Sequence, residues 1–110
     1  MKEVDELFDL SGRTALVTGG AGFLGEQFCE ALSEAGADVV VADIDREAAV
    51  QFADDLNRRQ GAAAGIGVDI TDPESVREMV NLTVDQFGHL DILVNSVFFF
   101  QAEDGIRDVR

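Results

Sequence analysis

Four short apolar runs, separated by stretches with helical periodicity, restrict this chain more than any other feature. They are Thr14-Ala15-Leu16-Val17, Val39-Val40-Val41-Ala42, Ala64 to Val68, and Asp91-Ile92-Leu93-Val94-Asn95. None alternates polar with apolar, as a strand with one wet face would, so the runs predict strands of a parallel sheet covered on both faces. Between them Leu24, Phe28, Leu32 and Ala35 recur at helical spacing, and Gly36 ends that helix. Asp45 predicts the cap of a second helix, to about Arg59, with Ala49, Phe52, Ala53 and Leu56 inward and Gly61 at its end. Thr71-Asp72-Pro73-Glu74 reads as a third helix start with Thr71 and Glu74 as a capping box. Val76, Val80, Val84 and Phe87 form its inner face, and Gly88 its stop. The order is βαβαβαβ. Right-handed crossovers make this an α/β doubly wound parallel sheet with strand order 3-2-1-4. Met1 to Asp9 reads as a loose arm, with Phe8 and Leu10 tucked against the sheet edge.

Length and charge narrow the function classes. At 110 residues the chain suits one small domain. Its net charge of -14 argues against nucleic acid or an anionic membrane surface as partner. No apolar run reaches membrane-spanning length, and the acidic start (Glu3, Asp5, Glu6, Asp9) does not read as a signal peptide, so a cytoplasmic protein is expected. Cys29 is the one cysteine and falls in a helical pattern, where a buried structural thiol is expected rather than a nucleophile. One histidine and one cysteine are too few for a zinc site, and no metal is expected.

Gly20-Ala21-Gly22-Phe23-Leu24-Gly25 matches G-x-G-x-x-G between a predicted strand and a predicted helix, the context that makes the motif informative. Gly20 is expected to allow a tight turn. Gly22 removes a Cβ where a pyrophosphate approaches the backbone, and Gly25 lets helix and strand pack closely. The helix N-terminus offers free N–H groups and the positive end of its dipole. The loop lacks the Gly-Lys-Ser/Thr ending of a triphosphate loop. A glycine turn with no ligand is the alternative. Asp43 ends the second strand, where the dinucleotide fold accepts hydrogen bonds from the adenosine ribose, roughly twenty residues beyond the glycines. A carboxylate there repels a 2′-phosphate, so NAD is expected before NADP, although Arg46 is close enough to pair with such a phosphate. Asp43 and Asp45 read alternatively as turn and cap residues.

These residues resemble the short-chain dehydrogenase/reductase family from about Leu7 to Asn95. Leu10-Ser11-Gly12-Arg13 leading into Ala15-Leu16-Val17-Thr18-Gly19-Gly20 looks like the family's opening strand and turn. Val68-Asp69-Ile70-Thr71-Asp72 looks like the end of its third strand, and Asp91 to Asn95 like its fourth-strand signature. The resemblance implies a Rossmann fold and a cofactor site of Gly19, Gly20, Gly22, Phe23, Leu24, Gly25, Asp43, Ile44, Asp69, Ile70 and Asn95. Within it Asp69 would contact the adenine amino group, Ile70 would line the ring pocket, and Asn95 would support the sheet and cofactor pocket. Phe23 departs from the glycine usual in the family's shorter members. Here the glycines look like its extended branch, and the other motifs do not. After Asn95 the family continues with asparagine, alanine and glycine, where this chain has Ser96-Val97-Phe98.

Phe98-Phe99-Phe100 and the stretch after it fit no element of this fold. One back-translation of Gln101 to Asp108, CAA-GCA-GAA-GAC-GGC-ATA-CGA-GAT, resembles a sequencing-library adapter. Residues 1–97 are therefore read as the N-terminal part of an NAD(P)-binding domain, and 98–110 as a non-native tail. A natural divergent helix is the alternative for the tail. The family's catalytic serine, tyrosine and lysine would all come later. This chain has no tyrosine and Lys2 as its only lysine, so no catalytic residue is assigned and the isolated chain is expected to be inactive. The expected activity of a longer parent is hydride transfer between nicotinamide and a small alcohol or carbonyl substrate, in a homo-oligomer. A non-catalytic NAD(P)-binding or regulatory domain and a structural module are the competing readings.

Overall fold

A computed structural model describes residues 4–59 and 61–96, so the stretch 98–110 set apart above lies outside the described residues. The elements are α1 (Val4–Leu7), β1 (Thr14–Thr18), α2 (Phe23–Glu34), β2 (Asp38–Asp43), α3 (Arg46–Arg59), β3 (Ala63–Gly67), α4 (Pro73–Phe87) and β4 (Ile92–Asn95). All three strand pairings are parallel, and the sheet order is β3-β2-β1-β4, the doubly wound order that the alternation predicts. β1 pairs on both sides and is buried throughout, which is why its sequence has no polar face.

Two apolar layers flank the sheet. On one face Val17, Val39 and Val41 pack with Cys29 and with Ala49, Phe52, Ala53 and Leu56 of α3. On the other, Leu16, Val40, Ala42 and Ile66 pack with Met79, against which Val76, Val80 and Phe87 lie. The alternation of β1 and β2 residues between the layers is the period of two of a strand.

The inner face of α3 is as expected. That of α2 is not. Its buried residues are Gly25, Cys29 and Ser33, whereas Leu24 and Phe28 are exposed. Small residues let this helix lie close to the sheet, which leaves Leu24 and Phe28 exposed. In α4 the buried positions are Met79 and Thr83, with Val84 exposed. The α4 cap is Asp72, whose side chain accepts from the Glu74 N–H, with Pro73 in the first turn. Thr71 instead donates its hydroxyl to Asp69, so the expected Thr71–Glu74 box does not form. The N-terminal arm contains the single turn α1, and the Leu10 N–H donates to the Ala35 carbonyl at 2.7 Å, so the arm meets the end of α2 rather than the sheet edge.

β3 is glycine-rich for a physical reason. A Cβ on Gly65 would stand 2.6 Å from Cα and N of Val50, so α3 rests on bare strand backbone. We expect Gly65→Ala to destabilise the purified protein by about 1–3 kcal/mol through overpacking. Gly61→Ala, where the nearest atom lies 4.0 Å away, should stay within about 0.5 kcal/mol. Urea denaturation of the two variants checks both.

Candidate functional site

The strand register brings the carboxyl ends level. Thr18 pairs with Ala42 and Asn95, and Asp43 with Gly67. The sequence-predicted residues therefore gather at one end of the sheet, where α/β folds bind ligands.

The glycine turn is built by close contacts. The left-handed residue is Gly19, with φ of 69°, rather than Gly20. Gly20 donates its N–H to the Ala42 carbonyl at 3.0 Å, and the Gly19 carbonyl accepts from Gly22 at 3.1 Å. A Cβ on Gly25 would lie 2.0 Å from the Gly19 oxygen, so only glycine lets α2 start there. Gly22 is different. Its backbone is ordinary extended chain, and a Cβ would meet only the Gly19 oxygen, at 3.4 Å. The protein itself does not require glycine at this position. Gly22 caps α2 without a side-chain bond, and the N–H groups of Phe23, Leu24 and Gly25 find no acceptor among the described residues. Phe23 is 83% exposed beside them, and Ile44, at the end of β2, is exposed too.

Asp43 ties the turn to β2. One carboxylate oxygen accepts from the Ala21 N–H at 3.1 Å and the other from the Asp45 N–H at 3.0 Å. It is thus a turn residue, and each oxygen retains acceptor capacity. Asp45 caps α3 through the Ala48 N–H, as expected.

At the next corner the Thr71 hydroxyl and N–H both donate to one oxygen of Asp69. These bonds, the hydroxyl's foremost, hold the Asp69 carboxyl below its ordinary value, which keeps it an ionised acceptor. Ile70 packs against the α4 layer and lines an apolar hollow of about 250 Å³ with Thr18, Val76, Met79, Leu93 and Asn95.

Thr18 and Ser96 were not singled out by sequence as site residues. The Thr18 hydroxyl donates to the Asn95 side-chain oxygen at 2.8 Å, and the Ser96 hydroxyl donates to the Thr18 carbonyl at 2.7 Å. Ser96 also extends the ladder through its N–H to the same carbonyl. The signal for these bonds is the pairing register, not any local motif. Burial pushes the Cys29 thiol up to about 12, with the charges of Glu26 and Glu30 adding to it, so it stays protonated and is no nucleophile. No metal-holding cluster and no membrane-length apolar helix occur among the described residues.

The family model for short chain dehydrogenases matches residues 13–104. The chain belongs to the short-chain dehydrogenase family. It is 42% identical over 101 residues to a sorbitol dehydrogenase of Cereibacter sphaeroides, covering 92% of this chain and 38% of that protein. It is similar to the crystal structure of a hydroxysteroid dehydrogenase from Escherichia coli, with a TM-score of 0.78, 32% identity, and coverage of 84% of this chain and 39% of that one. An NADP active-site complex of Pseudomonas aeruginosa RhlG gives a TM-score of 0.75 at 36% identity, covering 81% and 36%. The chain thus spans well under half the length of these relatives, and the family match runs to residue 104, inside the stretch 98–110 set apart by sequence. The Rossmann fold and the family expected from sequence are both established by these likenesses.

Opposite the site, Asp91 fastens β1 to the turn before β4. One of its oxygens accepts from the Thr14 N–H at 2.8 Å and lies 2.6 Å from Nδ1 of His89. The Thr14 N–H bond above all holds the Asp91 carboxyl below its ordinary value of 3.8; partial burial opposes this, and His89 and Arg13 reinforce it. A depressed carboxyl contributes stability above its unfolded value and loses it as pH falls through the folded one. Asp91→Asn should therefore lower the melting midpoint at neutral pH, with the gap to the parent closing below pH 3.8. Midpoints measured across pH check this, and a gap independent of pH would contradict it.

Proposed function

We propose that this end of the sheet holds a nicotinamide dinucleotide, NAD in preference to NADP, within an oxidoreductase acting on an alcohol or carbonyl substrate. Gly22 carries the reading. It is a glycine in unstrained backbone with little protein against its missing side chain, so the demand for it comes from outside the chain. A pyrophosphate approaching that space would meet the N–H groups of Phe23, Leu24 and Gly25, unpaired among the described residues, at the positive end of α2.

The other residues follow in order along the strand ends. Asp43 retains lone pairs for ribose hydroxyls while its bonds to Ala21 and Asp45 fix its orientation. Ile44 and Ile70 supply apolar surface at the adenosine end, and ionised Asp69 supplies an acceptor for an amino group. Asn95, held by Thr18, stands at the end of β4. Gly19 and Gly20 shape the turn beneath them. When bound, the cofactor supplies hydride transfer, and the protein's part is to orient it.

Family membership supports the oxidoreductase class, and the sorbitol and hydroxysteroid relatives point to hydroxyl-bearing substrates. Residues 1–97 form the binding unit in this reading, with 98–110 outside it. A cytoplasmic, homo-oligomeric parent is part of the same proposal.

Asp43→Ala should weaken NAD binding by about tenfold or more, the loss of charge-assisted hydrogen bonds, and narrow the preference over NADP. Fluorescence titration of the complete protein measures both. Tighter binding of NADP than NAD by the unaltered protein would contradict the assignment.

A further inference from the structure

The corner after β3 holds Asp69 by more bonds than a surface turn needs. Val68 extends the strand ladder, its N–H donating to the Asp43 carbonyl at 2.9 Å, so Asp69 stands just beyond the strand ends that form the candidate site. The Asp69 N–H donates to the Ser75 hydroxyl at 2.9 Å, and its carbonyl accepts from the Asp72 N–H at 3.0 Å. On the side chain, Oδ1 accepts both the Thr71 N–H at 3.0 Å and the Thr71 hydroxyl at 2.6 Å. Oδ2 accepts from no group among the described residues.

The Thr71 N–H bond alone closes such a turn, and Asp72 caps α4. Neither the turn nor the helix therefore calls on the Thr71 hydroxyl. What a second donor on the same oxygen adds is direction. It decides which oxygen is consumed within the corner and which stays open, and it restricts an exposed carboxylate that would otherwise turn freely in water. The hydroxyl bond is also the foremost cause that holds the carboxyl below its ordinary value. Ile70, the next residue, packs against the apolar layer under α4 and anchors the corner from below.

We propose that Thr71 is a positioning residue for the adenine end of a bound dinucleotide: its hydroxyl, by occupying one oxygen of Asp69, fixes the other as the acceptor for the amino group. Thr71 touches no ligand in this arrangement and acts only through Asp69. The inference rests on the dinucleotide reading, with Asp69 as acceptor, and adds to it the residue that aims that acceptor.

The test is calorimetric titration of the complete protein with NAD and with the analogue whose adenine amino group is replaced by hydrogen, in parent, Thr71→Val and Thr71→Ser forms. Valine nearly keeps the shape and removes the hydroxyl, whereas serine retains it. The parent should bind NAD about tenfold more tightly than the analogue. Thr71→Val should bind NAD about fivefold more weakly than the parent while affinity for the analogue stays within about twofold, which also shows that the site remains folded. Thr71→Ser should keep the parent's preference. A hydroxyl with a merely structural role would weaken both ligands alike. Equal losses, no loss, or a Thr71→Ser form without the preference therefore overturns the proposal while Asp69 stands as acceptor. A parent that binds both ligands equally removes Asp69 from that role, and the proposal with it, but leaves the dinucleotide site. A parent that binds neither overturns the dinucleotide reading itself and takes the proposal with it.

Discussion

The contact between Gly25 and the Gly19 carbonyl governs how the site is built. A side-chain carbon at Gly25 would stand 2.0 Å from that oxygen, well inside any tolerable separation. Because it is absent, α2 begins directly after the turn that ends β1, and its first N–H groups find no acceptor among the described residues. The same approach selects the residues beneath the helix. Gly25, Cys29 and Ser33 line the buried stripe, because a helix this close leaves little room for larger side chains. Asp43 then secures the turn from the neighbouring strand through the Ala21 N–H. Helix, turn and acidic residue form one mechanically linked unit.

That contact also marks where sequence reasoning reaches its limit. The strands, their order and the inner face of α3 were legible, because continuous apolar runs and a stripe of Ala49, Phe52, Ala53 and Leu56 have one economical arrangement. For α2 the same logic held for Leu32 and failed for Leu24 and Phe28. A periodicity argument places large residues inward, and here Leu24 and Phe28 stay exposed while Gly25, Cys29 and Ser33 are buried. At α4 two adjacent residues, Thr71 and Asp72, could each cap the helix, and the hydroxyl of Thr71 was taken by Asp69. Gly65 and Gly67 weakened the sequence signal for β3, although both serve contacts with α3. The bonds from Thr18 to Asn95 and from Ser96 to Thr18 join residues 77 and 78 positions apart, so no local pattern could reveal them.

The candidate site residues could be proposed from sequence as a set because the features that mark them are local. Glycines at fixed spacing, an acidic residue at the end of β2 and another beyond β3 each follow a strand that could be read independently. What the structure adds is the division of labour among them. Gly19 carries the positive φ, Gly25 the close packing, and Gly22 neither. On the far side of the sheet, β4 pairs only with β1 among the described residues and leaves Leu93 62% exposed. Apolar strand surface of this kind is normally covered, and the hollow beside it is lined by Ile70, Leu93 and Asn95.

The central claim is that Gly22 answers to a ligand rather than to the fold, and Gly22→Ala tests it most directly. Its extended backbone suits alanine, and the added carbon meets only the Gly19 oxygen, at 3.4 Å. Paired measurements on the complete protein, a urea unfolding curve and an NAD titration, should give an unfolding midpoint close to the parent's and NAD binding weakened by at least about tenfold. NAD binding that survives the substitution unchanged, or a loss of folding that accounts for the loss of binding, would contradict the account.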